Sequence, residues 1–330
     1  MFFLFILIFS TLISISSSSW FGCWIGLEIN LLSFIPLISS SKNLLSSEAS
    51  LKYFLIQSIA SINFLFMILL NLTFLKNTFY IENLNSIMIN SSLLMKMGSV
   101  PFHFWFINII EGLSWMNCFI LMTWQKITPI ILLSYYFNYY FLIFFLILNS
   151  IIGAIGGINQ TSLRKLMTFS SINNLSWMIF SIIISENLWI MYMITYSLMI
   201  SILCYMFYIF NLFFFNQIYF LNSNFLFKIF FFFNFLSLGG SPPFLGFFPK
   251  WMVINFLIYN ENFLLTFIFI TMSLITLYFY IRILYSSMLF NYFKLKWFNF
   301  MFKFNFNYYF MSIFSFISLG GMIFSTMMFY

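Results

Sequence analysis

Apolar residues run along this chain in long blocks that are separated by short polar stretches. A helix needs about 20 apolar residues to cross the hydrocarbon of a bilayer. About eleven stretches approach this length, and the connections between them are too short for a soluble domain. They cover residues 2–18, 20–38, 50–75, 84–110, 114–136, 139–158, 162–184, 187–214, 225–258, 262–290 and 307–328. The pattern predicts an all-α membrane protein of about eleven transmembrane helices.

Two of these stretches contain residues that interrupt a helix. They are Gly98 and Pro101 in the fourth stretch and Gly239, Gly240, Pro242 and Pro243 in the ninth. Proline removes a backbone donor, and backbone groups freed at membrane depth need protein or trapped water as partners. Interruptions five spans apart predict two five-helix repeats of inverted topology, each with one broken helix, and then a C-terminal helix.

The predicted repeats divide the chain into three parts. Residues 1–136 form the first repeat, whose helix breaks near 97–101, and residues 137–290 form the second, whose helix breaks near 239–243. Residues 291–330 form a loop and the final transmembrane helix. With an odd number of crossings in each repeat, the second starts on the other side of the membrane. This organisation is typical of transporters whose sites lie at broken helices.

The composition agrees with a bilayer and excludes several kinds of site. The chain is 63% hydrophobic and 6% charged, whereas soluble domains carry about 25% charged residues. A net charge of +7 spread along 330 residues is no nucleic-acid footprint, which needs clustered Lys and Arg. Three scattered cysteines and one histidine cannot build a disulfide framework, a zinc site or an iron–sulfur site. We expect no cofactor in this chain.

The distribution of charges predicts the orientation. With eleven spans, the N-terminus and every even-to-odd connection lie on one side of the membrane. That side receives Lys42, Lys52, Arg164, Lys165, Lys228, Lys294, Lys296 and Lys303. The opposite side holds Lys76, Glu82, Glu186 and Glu261. Such segregation follows the positive-inside rule, so we expect the N-terminus on the inner, basic side.

Four ionisable residues lie near the middle of apolar spans, where topology does not explain them. They are Glu28, Lys96, Lys126 and Lys250. Each costs about 2.5–3.5 kcal/mol on insertion scales, and such residues usually mark an ion or proton pathway. Structural ion pairs between helices are the alternative.

Lysine suits a switchable proton site. Burial disfavours the ammonium form and a nearby carboxylate favours it. We therefore expect Lys96 to hold its proton when Glu28 approaches and to release it towards Lys126 when Glu28 withdraws. His103, two residues past Pro101, suits either a proton relay or a hydrogen bond to a freed carbonyl.

Seven motifs follow one another along the chain: GLEINLLSFIPLI, EASLKYFL, PFHFW, LMTWQKITP, GGINQTSLRKLM, SLGGSPPFLGFFPKW and YFYIRILY. Together they resemble the antiporter-like membrane subunits of mitochondrial NADH-ubiquinone oxidoreductase (respiratory complex I), of the insect type. The resemblance covers essentially the whole chain. By matching motifs, it implies that Glu28 and Lys96 are a switch pair, that Lys126 is the central relay lysine, and that Lys250 is the terminal lysine on a broken helix.

The resemblance also implies a place and a function. The chain would be a core subunit of the H+-translocating NADH:ubiquinone reductase in the mitochondrial inner membrane, with its N-terminus in the matrix and its C-terminus in the intermembrane space. Redox chemistry in partner subunits would drive its protons, and FMN, iron–sulfur clusters and ubiquinone are expected in those partners. Expected contacts are other membrane-arm subunits, including neighbouring antiporter-like ones, accessory subunits and phospholipids.

One position departs from the family pattern. The chain reads SSINNLSW, with Asn174 where many relatives have a histidine. Asparagine can orient water but cannot titrate, so a proton-relay role at this position is in doubt. Two other functions stay open from the residues alone: a secondary cation/proton antiporter subunit of the Mrp type, and a scaffold in which the buried charges are structural.

Overall fold

The structure is a computed structural model of the 330-residue chain. It describes residues 2–40, 43–73, 79–219 and 225–289, together with positions 315, 316, 318, 320 and 321. The predicted loop and final helix of residues 291–330 otherwise lie outside the described residues, as do Lys42 and Lys76.

The described residues fold almost entirely into helices. In the first half these are α1 Phe2–Ser16, α2 Trp20–Ile38, α3 Leu44–Thr73, α4 Phe79–Met97, α5 Phe104–Ile110, α6 Trp115–Met122, α7 Trp124–Tyr135 and α8 Tyr139–Ile158. In the second half they are α9 Leu163–Ile184, α10 Glu186–Phe210, α11 Phe215–Tyr219, α12 Phe225–Gly239, α13 Phe247–Tyr259 and α14 Phe263–Leu289. One isolated antiparallel bridge joins Ser162 to Phe214.

Seven helical segments of the described chain are long and apolar enough to cross a membrane. The shorter apolar helices include α1, α13 and the part of α12 from Ile229 to Gly239. The prediction of an all-helical, multi-span membrane protein is confirmed. Both predicted interruptions are present, because α4 ends at Met97 before α5, and α12 ends at Gly239 before α13.

The chain divides into two compact units, residues 1–149 and 150–330, and the division falls within α8. In the second unit α9 is largely enclosed, with 89% of its apolar stretch buried inside the protein. Polar residues such as Ser170, Ser171, Asn173 and Asn174 are therefore enclosed by protein. The predicted inverted relation between two repeats stays a prediction.

Candidate functional site

The first helix break replaces one backbone hydrogen bond with two side-chain bonds. A continuous helix would pair the Val100 amide with the carbonyl of Lys96. Instead, the Lys96 carbonyl accepts a hydrogen bond from Gln57 Nε2 at 3.1 Å, and the Val100 amide donates to Asn149 Oδ1 at 2.6 Å. Backbone groups freed at membrane depth thus find partners inside the protein.

The end of α4 itself closes with a tight turn. Gly98 has φ +72°, a left-handed conformation that glycine adopts without a Cβ penalty. The amide and the hydroxyl of Ser99 then both donate to the carbonyl of Leu94, at 3.1 and 3.0 Å. Trp105 Nε1 donates to the carbonyl of Met95 at 3.2 Å. These bonds satisfy the last carbonyls of α4, as in helix ends that close with a left-handed residue.

The second break uses the same turn. Gly240 has φ +79°, and the amide and hydroxyl of Ser241 donate to the carbonyl of Leu236 at 3.2 and 3.3 Å. Gly240 and Ser241 thus repeat the roles of Gly98 and Ser99 in the other unit. Prolines follow at Pro101 in one unit and at Pro242 and Pro243 in the other.

Lys96 and Lys126 share one small cavity in the first unit. Lys96 is 7% exposed and Lys126 is 1% exposed. The cavity has a volume of about 20 Å³, and its polar lining also includes Asn30, Tyr53, Gln57, Gln125 and Thr128. Lys126 Nζ lies 5.3 Å from the centre of the Phe106 ring. The two lysines that the sequence predicts as relay groups therefore face the same space.

Glu28 lies beside this pair on α2 and is half-buried. Its carboxylate and the Lys96 ammonium form no direct ion pair within 4.0 Å. Two residues further along, Asn30 Oδ1 accepts a hydrogen bond from Gln125 Nε2 at 2.8 Å. This bond links the helix that carries Glu28 to the helix that carries Lys126.

The span that holds Lys126 has an interruption that the sequence analysis missed. Thr123 separates α6 from α7, and its amide and hydroxyl both donate to the carbonyl of Phe119, at 3.0 and 2.7 Å. Six residues later, Pro129 lies inside α7. A proline has no N–H, so the carbonyl of Gln125 loses its usual helical donor. The sequence TWQKITP contains this signal, since threonine and proline flank the lysine.

Lys250 closes the second break. It lies on α13 and is 5% exposed, and its Nζ donates a hydrogen bond to the carbonyl of Gly239 at 3.0 Å. The carbonyl end of a helix carries partial negative charge, so an ammonium group there is favourable. Nζ also lies 5.8 Å from the centre of the Trp177 ring. The lysine therefore connects the two halves of the broken span.

A second cavity adjoins Lys250. Its volume is also about 20 Å³, and its lining includes Asn174, Tyr192, Tyr196 and Ser237. The Tyr192 hydroxyl donates to Asn174 Oδ1 at 3.1 Å. Sequence reasoning missed Tyr192, because a tyrosine in an apolar helix carries no signal of its own.

His103 lies at the first break and is 5% exposed. Its Nδ1 is 3.2 Å from the carbonyl oxygen of Pro101, a hydrogen bond when Nδ1 carries the proton. This contact is of the second kind considered from the sequence, in which the histidine satisfies a freed carbonyl.

Comparison with known proteins gives concordant matches. The family model described as "NADH:quinone oxidoreductase/Mrp antiporter, TM" matches residues 17–276. The chain is 52% identical over 334 aligned residues to NADH-ubiquinone oxidoreductase chain 2 of Anopheles gambiae, with 99% of this chain and 97% of that protein covered.

Two solved structures share the fold. A chain of respiratory complex I from Thermus thermophilus with bound aureothin has a TM-score of 0.84 at 17% identity, with 96% of this chain and 76% of that chain covered. A chain of the Mrp complex from Dietzia sp. DQ12-45-1b has a TM-score of 0.73 at 14% identity, with 85% and 59% covered. At these identities the likeness concerns the fold alone.

Proposed function

The chain belongs to the NADH:quinone oxidoreductase/Mrp antiporter family and, within it, to the NADH-ubiquinone oxidoreductase chain 2 proteins, and from this premise we propose that it translocates protons in the membrane arm of complex I. The proposed proton-carrying groups are Glu28, Lys96 and Lys126 in the first unit and Lys250 in the second, together with water. The observation that carries the proposal is the shared, buried cavity of Lys96 and Lys126.

The first step is a switch at Lys96. Two lysines that face one small cavity repel each other when both are charged, and burial disfavours each ammonium. A carboxylate near an ammonium favours its charged form, and Glu28 on α2 forms no direct ion pair with Lys96 in this structure. A small movement of α2 changes this interaction. Lys96 holds its proton when Glu28 is close and passes it on when Glu28 withdraws.

The last step takes place at the second break. The Lys250 ammonium donates to the carbonyl of Gly239, so the charged form stabilises the end of α12. The neutral amine stabilises it less. Protonation of Lys250 is thereby coupled to the geometry of the broken helix, and the hydrogen-bonded pair Asn174 and Tyr192 forms part of the wall of the adjoining cavity.

Partner subunits supply the driving force in this proposal. NADH oxidation and ubiquinone reduction take place there, on FMN and iron–sulfur clusters, and this chain responds through its buried charges. We place it in the mitochondrial inner membrane with the N-terminus in the matrix and the C-terminus in the intermembrane space. Neighbouring antiporter-like subunits, accessory subunits and phospholipids are the proposed contacts.

Single substitutions in the assembled complex test the relay. We expect Lys126→Ala and Lys250→Ala to remove most of the redox-linked proton uptake into vesicles, because alanine cannot bind and release a proton as lysine does. Lys52→Ala is the matched control, since Lys52 is exposed and pairs with Glu48 on the protein surface at 2.5 Å. Solvent-exposed ion pairs contribute little to the stability of a protein. Full pumping in both buried-lysine variants would leave the charges as structural groups and refute the relay.

A free-standing cation/proton antiporter subunit of the Mrp type is the competing function, because the fold is common to both kinds of complex. The identity to a NADH-ubiquinone oxidoreductase chain 2 protein favours the first function. Extraction in mild detergent separates them. We expect the chain to copurify with NADH-oxidising activity, and an active antiporter without that activity would overturn the assignment to complex I.

A further inference from the structure

The cavity between Lys96 and Lys126 has the size and lining of a site for one water molecule. A buried water molecule needs a cavity volume of about 10–15 Å³ and two to four polar partners. This cavity offers about 20 Å³, and amide, hydroxyl and ammonium groups line it. A water molecule placed there needs a group that positions it between the two lysines.

Thr128 provides a hydroxyl suited to that role. Its side chain lines the cavity and is 1% exposed, and its Oγ1 has no hydrogen-bond partner in the part of the chain that the structure describes. Hydroxyl groups in helices commonly donate to a carbonyl of the preceding turn. Ser134, on the same helix, donates to the carbonyl of Ile131 at 2.7 Å, and Thr276 on α14 donates to that of Ser273 at 2.7 Å.

A buried hydroxyl without a partner is unfavourable. Thr128 lies two residues from Lys126 and directly before Pro129, in the turn of α7 where the Gln125 carbonyl loses its helical donor. Gln125 itself directs its side-chain amide to Asn30. The one hydroxyl of this turn is therefore available to a molecule in the cavity.

We infer that Thr128 binds the water through which a proton passes between Lys96 and Lys126. The inference rests on the proposed function. The Lys96 ammonium gives one proton to the water, and the water gives one of its protons to the amine of Lys126, so the water ends neutral. The hydroxyl can accept one hydrogen bond and donate another, and it keeps its own proton. Thr128 is thus a positioning residue.

Two substitutions separate the hydroxyl from the shape of the side chain. Thr128→Val removes the hydroxyl at almost constant volume, and Thr128→Ser retains it. Thr276→Val makes the same chemical change at another buried threonine, whose hydroxyl serves its own helix. The measurements on the assembled complex in vesicles are NADH oxidation, proton uptake per NADH, and the solvent deuterium isotope effect on coupled turnover.

We expect Thr128→Val to slow coupled turnover roughly three- to tenfold, the effect of one lost hydrogen bond, with a larger isotope effect. Thr128→Ser and Thr276→Val should match the unmodified complex. Unchanged turnover in Thr128→Val, or equal losses in the valine and serine variants, would overturn the inference. Loss of activity in Lys126→Ala alongside normal Thr128→Val would reject the role of Thr128 and leave the relay standing.

A second measurement needs no variant. A map of the intact complex that resolves buried waters should show one within about 3.2 Å of Thr128 Oγ1. If the map shows other buried waters and none at this hydroxyl, the inference is wrong, whether or not the valine variant assembles.

Discussion

The bond between Val100 and Asn149 gives the sharpest test of how the first break is held. The Val100 amide is buried, at 1% exposure of the residue, and its acceptor is Asn149 Oδ1 at 2.6 Å. Asn149→Leu keeps a similar size but removes that acceptor. A buried donor left unsatisfied costs about 1–3 kcal/mol. Asn149 Nδ2 has no partner of its own among the described residues, so its removal adds no further loss.

Amide hydrogen exchange converts this energy into a rate. Buried amides exchange through local opening, and 1–3 kcal/mol corresponds to about 5- to 150-fold faster exchange. We expect this acceleration at Val100 in the purified complex, measured by mass spectrometry with residue-level fragmentation. Asn187→Leu, at an exposed position on α10, is the control and should leave Val100 unchanged.

Two outcomes would refute the reasoning about this break. In the first, the exchange rate at Val100 does not change in Asn149→Leu. In the second, exchange rises equally in helices remote from Asn149, which would mean that the variant destabilises the whole protein. An increase confined to the residues around Val100 supports the proposed side-chain support of the break.

Two further predictions concern the second unit. Gly246→Ala should prevent normal assembly of the complex, because the new Cβ would lie 1.9 Å from the carbonyl oxygen of Ser237. Gly239→Ala should assemble normally, since the atom nearest to its new Cβ would be 3.4 Å away. Native electrophoresis compares the two variants, and equal assembly would contradict the packing argument. Tyr192→Phe removes the hydrogen bond to Asn174. The loss should lower the free energy of unfolding by about 0.5–1.5 kcal/mol and therefore lower the melting temperature of the complex. An unchanged melting profile would show that this bond contributes nothing to stability.

Much of the fold could be predicted from local patterns. Apolar runs of membrane length marked α2 and α8 at the residues where the structure begins and ends them, 20–38 and 139–158. Glycine and proline marked both interruptions, because their backbone effects act on their own turns. The interruption at Thr123 was missed, since a threonine that bonds to its own helix is common and seldom breaks it.

Less of the candidate site could be predicted. Lys96, Lys126 and Lys250 stood out because a charge inside an apolar span is costly. Their neighbours did not stand out, because glutamine, asparagine and threonine occur throughout the chain. Gln57 lies 39 residues along the chain from Lys96, and Asn149 lies 49 residues from Val100, the partners to which they bond at the first break. The family resemblance pointed to neither Gln57 nor Asn149.

The sequence alone determined that the chain spans a membrane, where two of its helices break at glycine and proline, and which lysines are buried within apolar spans, because these signals lie in the local sequence. The tertiary structure decided which groups meet: the cavity shared by Lys96 and Lys126, the bond from Lys250 to Gly239, and the Thr128 hydroxyl, which has no partner among the described residues. Hydrogen bonds act over about 3 Å. Only the packing of distant helices brings such partners within that distance.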